Sequence, residues 1–181
     1  MYQDLSKYTY HLKREKSIYF IQFYRIFCLL FIRTSPKFLN RWRIFIYRIF
    51  GAKIGKNVKI SPSARILYPW NISIGNFCWI GDNVELYSVD KISIGNNVAF
   101  AHNIFVATAA HDVSLQNFPT IKKPIFIRDE VWISSNVFIN MGITIGKGAV
   151  IGSASVVTKD LEGGYIYVGN PAKAIKQRKS L

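Results

Sequence analysis

Residues 72–100 read ISIGNFCWIGDNVELYSVDKISIGNNVAF, and their spacing decides the fold. Aliphatic residues fall at Ile74, Ile80 and Leu86; after an eight-residue step the series resumes at Ile94 and Phe100. A period of six fits neither the turn of a helix, about 3.6 residues, nor the alternation of an ordinary strand. The series extends outward in both directions, to Ile54, Ile60 and Ile66 before it and to Val106, Ile127, Ile133, Ile139, Ile145, Ile151 and Val157 after it. Four places beyond a lead residue the side chain is small or branched, as at Val58, Ala64, Cys78, Val84, Val98, Val131, Val137, Ala149 and Ser155. Six-residue repeats of this kind build a parallel β-helix. Each unit is a short flat strand and a corner, and three units close a triangular coil. The lead residue points inward and stacks on its equivalent one coil away, about 4.8 Å distant. Gly and Asn supply the left-handed backbone that corners need. Cys78 occupies a small-residue slot, so it reads as packing rather than chemistry.

The repeat stops in VATAAHDVSLQNFPTIKKP, residues 106–124, and His111 stands where it breaks off. His11 lies in a polar stretch and His102 inside a regular repeat, where it should face solvent. His111 is therefore the histidine with a loop to itself.

Before residue 52 the composition changes. Residues 1–53 hold eleven Lys/Arg, Lys13 and Arg14 among them, against Asp4 and Glu15, in a chain of net charge +14. Such a basic patch attracts phosphate of any origin, but no nucleic-acid recognition motif accompanies it. In PKFLNRWRIFIYRIFG, residues 36–51, apolar side chains recur at Phe38, Trp42, Phe45, Ile46 and Ile49, with Arg41, Arg43 and Arg48 mostly between them. This predicts an amphipathic helix stopped by Gly51. Residues 18–32, IYFIQFYRIFCLLFI, predict a second helix; they fall short of the roughly 20 apolar residues that span a bilayer and carry Arg25. Two readings stay open for these helices. They cap the end of the core and bury their aromatic side chains there, or they lie on a membrane surface with cations on the headgroups. Cys28 and Cys78 form no disulfide framework and suit a reducing compartment.

The repeats, the break at HDVSLQNFPTIKKPIFI and the ending VGNPAKAIKQR together resemble the left-handed β-helix, hexapeptide-repeat O-acetyltransferases, in the branch of the colanic acid biosynthesis enzymes and akin to the maltose and galactoside O-acetyltransferases. The resemblance implies an all-β solenoid over residues 52–168 with an extruded loop at 112–124, after a mainly helical segment at 1–51 and before a basic tail at 169–181 with a short helix. It implies a homotrimer with sites between subunits, and the two lone cysteines and the polar N-terminus lead to the expectation of a cytoplasmic protein. Trp70, Trp79 and Trp132 are candidates for an apolar outer surface.

The implied activity is acetyl-CoA-dependent transfer to a sugar hydroxyl of a surface-polysaccharide intermediate, with a lipid-linked acceptor and peripheral membrane contact through residues 1–51 as a further expectation. Small soluble acceptors and a non-catalytic scaffold are the alternatives. His111 matches the family's general base. Thioester acyl transfer needs such a base and donors for an oxyanion, but no covalent nucleophile and no metal. Asp112 is its neighbour in sequence, but adjacent side chains point apart. By resemblance, coenzyme A falls to Trp132, Ser135, Ser153, Thr158 and Lys159, with Lys173, Lys176 and Arg178 for its phosphates. Asn117 and Phe118 in the loop, and Asp82 and Asn83, are the acceptor candidates. Gly81-Asp82 stands where the maltose and galactoside enzymes carry an asparagine, which points to a different acceptor.

Overall fold

A computed structural model describes residues 3–12 and 15–179; Lys13 and Arg14 lie outside the described residues. The six-residue period folds into three parallel sheets, the faces of a prism. On the first face Ile54, Ile74, Ile94, Ile127 and Ile145 align coil over coil. On the second, Ile60, Ile80, Phe100, Ile133, Ile151 and finally Tyr167 do so. The third aligns Ile66, Leu86, Val106, Ile139 and Val157. None of the fifteen lead residues of the repeat is more than 8% exposed. Cys78 is fully buried, and its thiol donates to the carbonyls of Gly95 and Asn76.

Asparagine and glycine divide the work at the corners. Asn57, Asn83, Asn97, Asn103 and Asn136, each three places after a lead residue, hold φ between 53° and 61°. Asn tolerates this backbone because its short amide bonds locally. The glycines directly after the lead residues serve a different need from the one expected. A Cβ on Gly75 would lie 2.6 Å from the carbonyl oxygen of Gly95, so glycine there lets successive coils approach. Between the first and second faces a ladder of side-chain oxygens steps up the coils. Asn76 Oδ1 accepts from Lys56 N–H at 2.8 Å, Asn96 Oδ1 from Asn76 N–H at 2.8 Å, and Asp129 Oδ1 from Asn96 N–H at 2.7 Å.

Both eight-residue steps and the long break fall at one corner, between the third and first faces. Buried polar side chains tie the insertions together. Ser88 Oγ bridges the backbone of Tyr68, Asn71 Nδ2 donates to the Ser88 carbonyl, and Thr108 Oγ1 donates to the Tyr87 carbonyl.

The N-terminal segment forms two helices, α1 (Ile18–Phe27) and α2 (Asn40–Ile49). Ser17 caps α1 by accepting from Phe20 N–H; a π-helical turn, Cys28–Ile32, continues it. Both helices close the first end of the prism and join its apolar core through Tyr24, Ile32, Ile46, Tyr47 and Phe50. The face that α2 buries differs from the expected one. Arg43, Ile46 and Tyr47 turn inward, while Phe38, Trp42, Phe45 and Ile49 stay exposed. The reason lies in the first coil, whose inward-stacking residues have no coil beneath them. Arg43 Nε donates to the Ile60 carbonyl at 2.9 Å, Arg48 Nη2 to Ile54 at 2.6 Å, Asn40 Nδ2 to Val58 at 2.8 Å and Tyr24 Oη to Ile66 at 2.7 Å. Phe20, Tyr24 and Tyr68 surround Trp70, whereas the other two candidate surface tryptophans, Trp79 and Trp132, are 57% and 50% exposed.

The expected C-terminal helix is a strand. Lys173–Gln177 runs antiparallel to Tyr165–Val168 on the second face. The last coil has nothing above it, and peptide groups at an open edge favour an added strand over a helix that would leave them unpaired.

Candidate active site

His111 ends the strand Ala109–His111, which pairs antiparallel with Thr120–Lys122, so the extruded loop is a hairpin that starts two residues before the histidine. Its Nδ1 lies 2.9 Å from the carbonyl oxygen of Phe118. A carbonyl only accepts, so Nδ1 carries the proton and the neutral ring presents the lone pair of Nε2. The Phe118 ring stacks on the imidazole at 4.4 Å and 8°, which holds its plane. Phe118 reaches this position with φ +47°. Tyr8 lies edge-on to the imidazole at 5.9 Å and bonds through its hydroxyl to Thr120 at 2.9 Å. The N-terminal segment also grips the loop tip, where Asp4 N–H donates to the Gln116 carbonyl at 2.8 Å. Asp112 turns away from the imidazole: its carboxylate accepts from Ser114 N–H and Oγ, which lowers its pKa. A pocket of about 370 Å³ opens at His111, walled by Tyr8, Tyr10, Tyr68, Tyr87 and Phe105.

A second, larger cavity of about 760 Å³ lies along the second face, between Trp79, Trp132, Asp82 and His102 on the solenoid and Lys37 and Phe38 before α2. Asp82 is the polar centre of this cavity. Its carboxylate accepts from Ser61 Oγ and, at 2.9 Å, from Ser63 Oγ, and faces Lys37 Nζ at 3.5 Å. The two hydroxyls, then the lysine, hold its pKa below the usual carboxylate value. His102 Nδ1 stands 4.0 Å from the same carboxylate. Asn83 donates through Nδ2 to Asn103 Oδ1 at 3.1 Å.

The expected cofactor residues divide between two edges of the prism. Trp132 projects from the second face, and Ser135 and Ser153 stand on the corner that follows it, near Asp82 and Asn83. Thr158 and Lys159 follow the third face instead, on the edge that carries the His111 loop. Lys173 and Lys176 pair with Val168 and Ile166 on the second face. Arg178 has already committed Nη1 to the carbonyls of Glu130 and Gly148, at 2.9 and 3.1 Å. Ser134 and Ser153 hydroxyls bond at 2.7 Å, and small residues leave the edge open. Asn117 sits half-buried in the turn of the loop. His111, Phe118 and Asn117 thus share one edge, and Asp82, Asn83, Ser135 and Ser153 another.

Neither thiol is suited to nucleophilic attack: burial pushes Cys28 up to about 11 and raises Cys78 as well. Among the described residues there is no group of three His, Cys, Asp or Glu side chains placed to hold a metal ion. No helix among them is long and apolar enough to cross a membrane.

No family model matches the chain. Individual proteins do. The Escherichia coli (strain K12) acetyltransferase WcaF, named for colanic acid biosynthesis, is 43% identical over 144 residues, 80% of this chain and 79% of that protein. A hexapeptide-repeat-containing acetyltransferase of Vibrio cholerae O1 biovar eltor, solved with acetyl-coenzyme A, superposes with TM-score 0.84 at 29% identity over 94% of both chains. A maltose O-acetyltransferase of Clostridium difficile 630 does so with TM-score 0.75 at 32% identity, over 88% of this chain and 86% of that one. The solenoid and these relatives define an acetyl-CoA-dependent acyltransferase. The chain belongs to the hexapeptide-repeat acetyltransferases and is related to WcaF within them.

Proposed function

We propose that the protein acetylates a sugar hydroxyl of a surface-polysaccharide intermediate, with His111 as general base. The observation that carries this reading is the bond between His111 Nδ1 and the Phe118 carbonyl, which leaves Nε2 free to accept a proton. In the reaction Nε2 takes the proton of the acceptor hydroxyl as its oxygen attacks the thioester carbonyl carbon. The tetrahedral oxyanion collapses and expels the coenzyme A thiolate, which recovers the proton from the imidazolium. The acceptor being a polysaccharide intermediate rests on the relation to a protein named for colanic acid biosynthesis.

The reading also requires assembly. In one chain the His111 pocket and the Asp82 cavity share no lining residue, and they sit on different edges. A homotrimer that sets the His111 loop of one subunit against the Asp82 edge of the next joins the two halves. Coenzyme A would then run between subunits, with Trp132, Ser135 and Ser153 on one wall and Thr158 and Lys159 on the other.

Thiol release from acetyl-CoA, measured with fractionated lipid-linked and soluble glycans, tests the reading. His111→Ala should lower turnover by about 10²–10⁴-fold while leaving coenzyme A binding intact. Undiminished turnover removes His111 from the chemistry. A fully active monomer removes the shared site, and release confined to free sugars removes the polysaccharide acceptor.

A further inference from the structure

The inward turn of Arg43 has a counterpart on the other side of α2. Trp42, Phe45 and Ile49 lie on its outer face, 38%, 55% and 61% exposed, and Phe38, in the turn before it, is 82% exposed. Helix α1 does the same: it buries Ile21 and Tyr24 and exposes Tyr19, Phe23 and Ile26 by 84%, 58% and 57%. Trp42 Nε1 donates to the Phe31 carbonyl at 3.3 Å, and Phe31 packs on Phe27 at 4.6 Å, so the two helices present one surface. A soluble monomer rarely exposes so large a contiguous apolar area without a use for it.

Charge indicates what covers this surface. Residues 15–53 hold eight Lys/Arg, of which Arg43 is buried and Lys37 faces Asp82, and one acid, Glu15. Arg33 and Arg41 are exposed and have no acidic partner among the described residues. A second copy of the same surface would set like charges against each other. Apolar side chains flanked by the unpaired Arg33 and Arg41 instead match the acyl boundary and phosphates of an anionic lipid leaflet. The surface is also continuous with the larger cavity, because Lys37 and Phe38 line both.

We propose that the helical cap is a membrane-docking surface that seats the protein on an anionic bilayer and opens the Asp82 cavity at the level of the headgroups. Docking stands on the cap alone; delivery of an acceptor from the lipid to the cavity rests on the proposed function.

Flotation of the full chain with phosphatidylcholine vesicles, with and without phosphatidylglycerol, tests the docking. The protein should float with the anionic vesicles and remain behind with the neutral ones. Ile26→Gln/Phe45→Gln/Ile49→Gln should weaken partitioning by about tenfold or more, and Arg33→Glu/Arg41→Glu should do the same at low salt. Both variants should keep the wild-type circular dichroism, sedimentation coefficient and thiol release with a soluble acceptor. Failure of the wild type to float overturns the proposal. So does a glutamine variant that still floats, or one that changes assembly state instead, which would make the surface a protein interface. Flotation without thiol release from any glycan would leave docking in place and overturn the proposed function, so the two fail separately.

Discussion

The two ends of the solenoid solve one problem by different means. At the N-terminal end the first coil is closed by side chains: Arg43, Arg48, Asn40, Tyr24 and Tyr47 each donate to one of its carbonyls. At the C-terminal end the last coil is closed by backbone, the antiparallel strand Lys173–Gln177. Both remove the open row of peptide groups that would invite another chain to pair. A backbone cap needs only an extended segment and tolerates most side chains. A side-chain cap depends on particular residues at particular positions.

The largest expected effect follows from Arg43. Its guanidinium is buried and donates to the carbonyls of Ile60, Pro36 and Lys37 and to Ser35 Oγ, with no carboxylate among them. Burial lowers its pKa, but the ring of acceptors is what keeps a cation there. Arg43→Met should cost at least about 3 kcal/mol, since several buried acceptors lose their donor together. Urea midpoints measure this, and a midpoint close to wild type would show that water replaces the arginine. Truncation before Lys173 should be milder, about 1–2 kcal/mol in the same assay, accompanied by self-association through the exposed strand Tyr165–Val168. A loss as large as that at Arg43 would erase the contrast between the ends. The smallest effects sharpen it. Tyr24 Oη lies 2.7 Å from its carbonyl and Tyr47 Oη 3.5 Å from its own. Tyr24→Phe should therefore cost about 1 kcal/mol and Tyr47→Phe less than about 0.5 kcal/mol. Equal losses would mean that the difference between the two hydroxyl–carbonyl distances does not set their contributions, and losses near zero in both that ring packing closes that end.

These ends are also where the sequence was hardest to read. The interior was legible because one requirement governs it. Each lead residue stacks on its own kind, so a period of six is visible in Ile74, Ile80 and Leu86, and the small slot of Cys78 with it. The helices of the cap were legible as helices, but their orientation was not. Apolar stripes normally face a core, whereas here unpaired carbonyls drew Arg43 inward and turned Phe45 and Ile49 out. The tail departs from its expected helix for a related reason: AKAIKQRK suits a helix locally, and only the unpaired last coil makes it a strand. At the site, His111 stood out by its loop. Its orienting carbonyl on Phe118 and the Tyr8 ring could not be found from sequence. One is a backbone atom set by a turn, and the other comes from a segment more than a hundred residues away.

The insertions all enter at the corner between the third and first faces, and twenty-one positions separate Val106 from Ile127 without disturbing the alignment of Ile94 with Ile127. That corner behaves as an open port in the design. Lengthening the chain there costs only the slow logarithmic entropy of a longer loop, because no strand register depends on it. The hairpin that carries His111 can accordingly be lengthened or rewritten at the port, while the stacked isoleucines that hold the molecule together stay as they are.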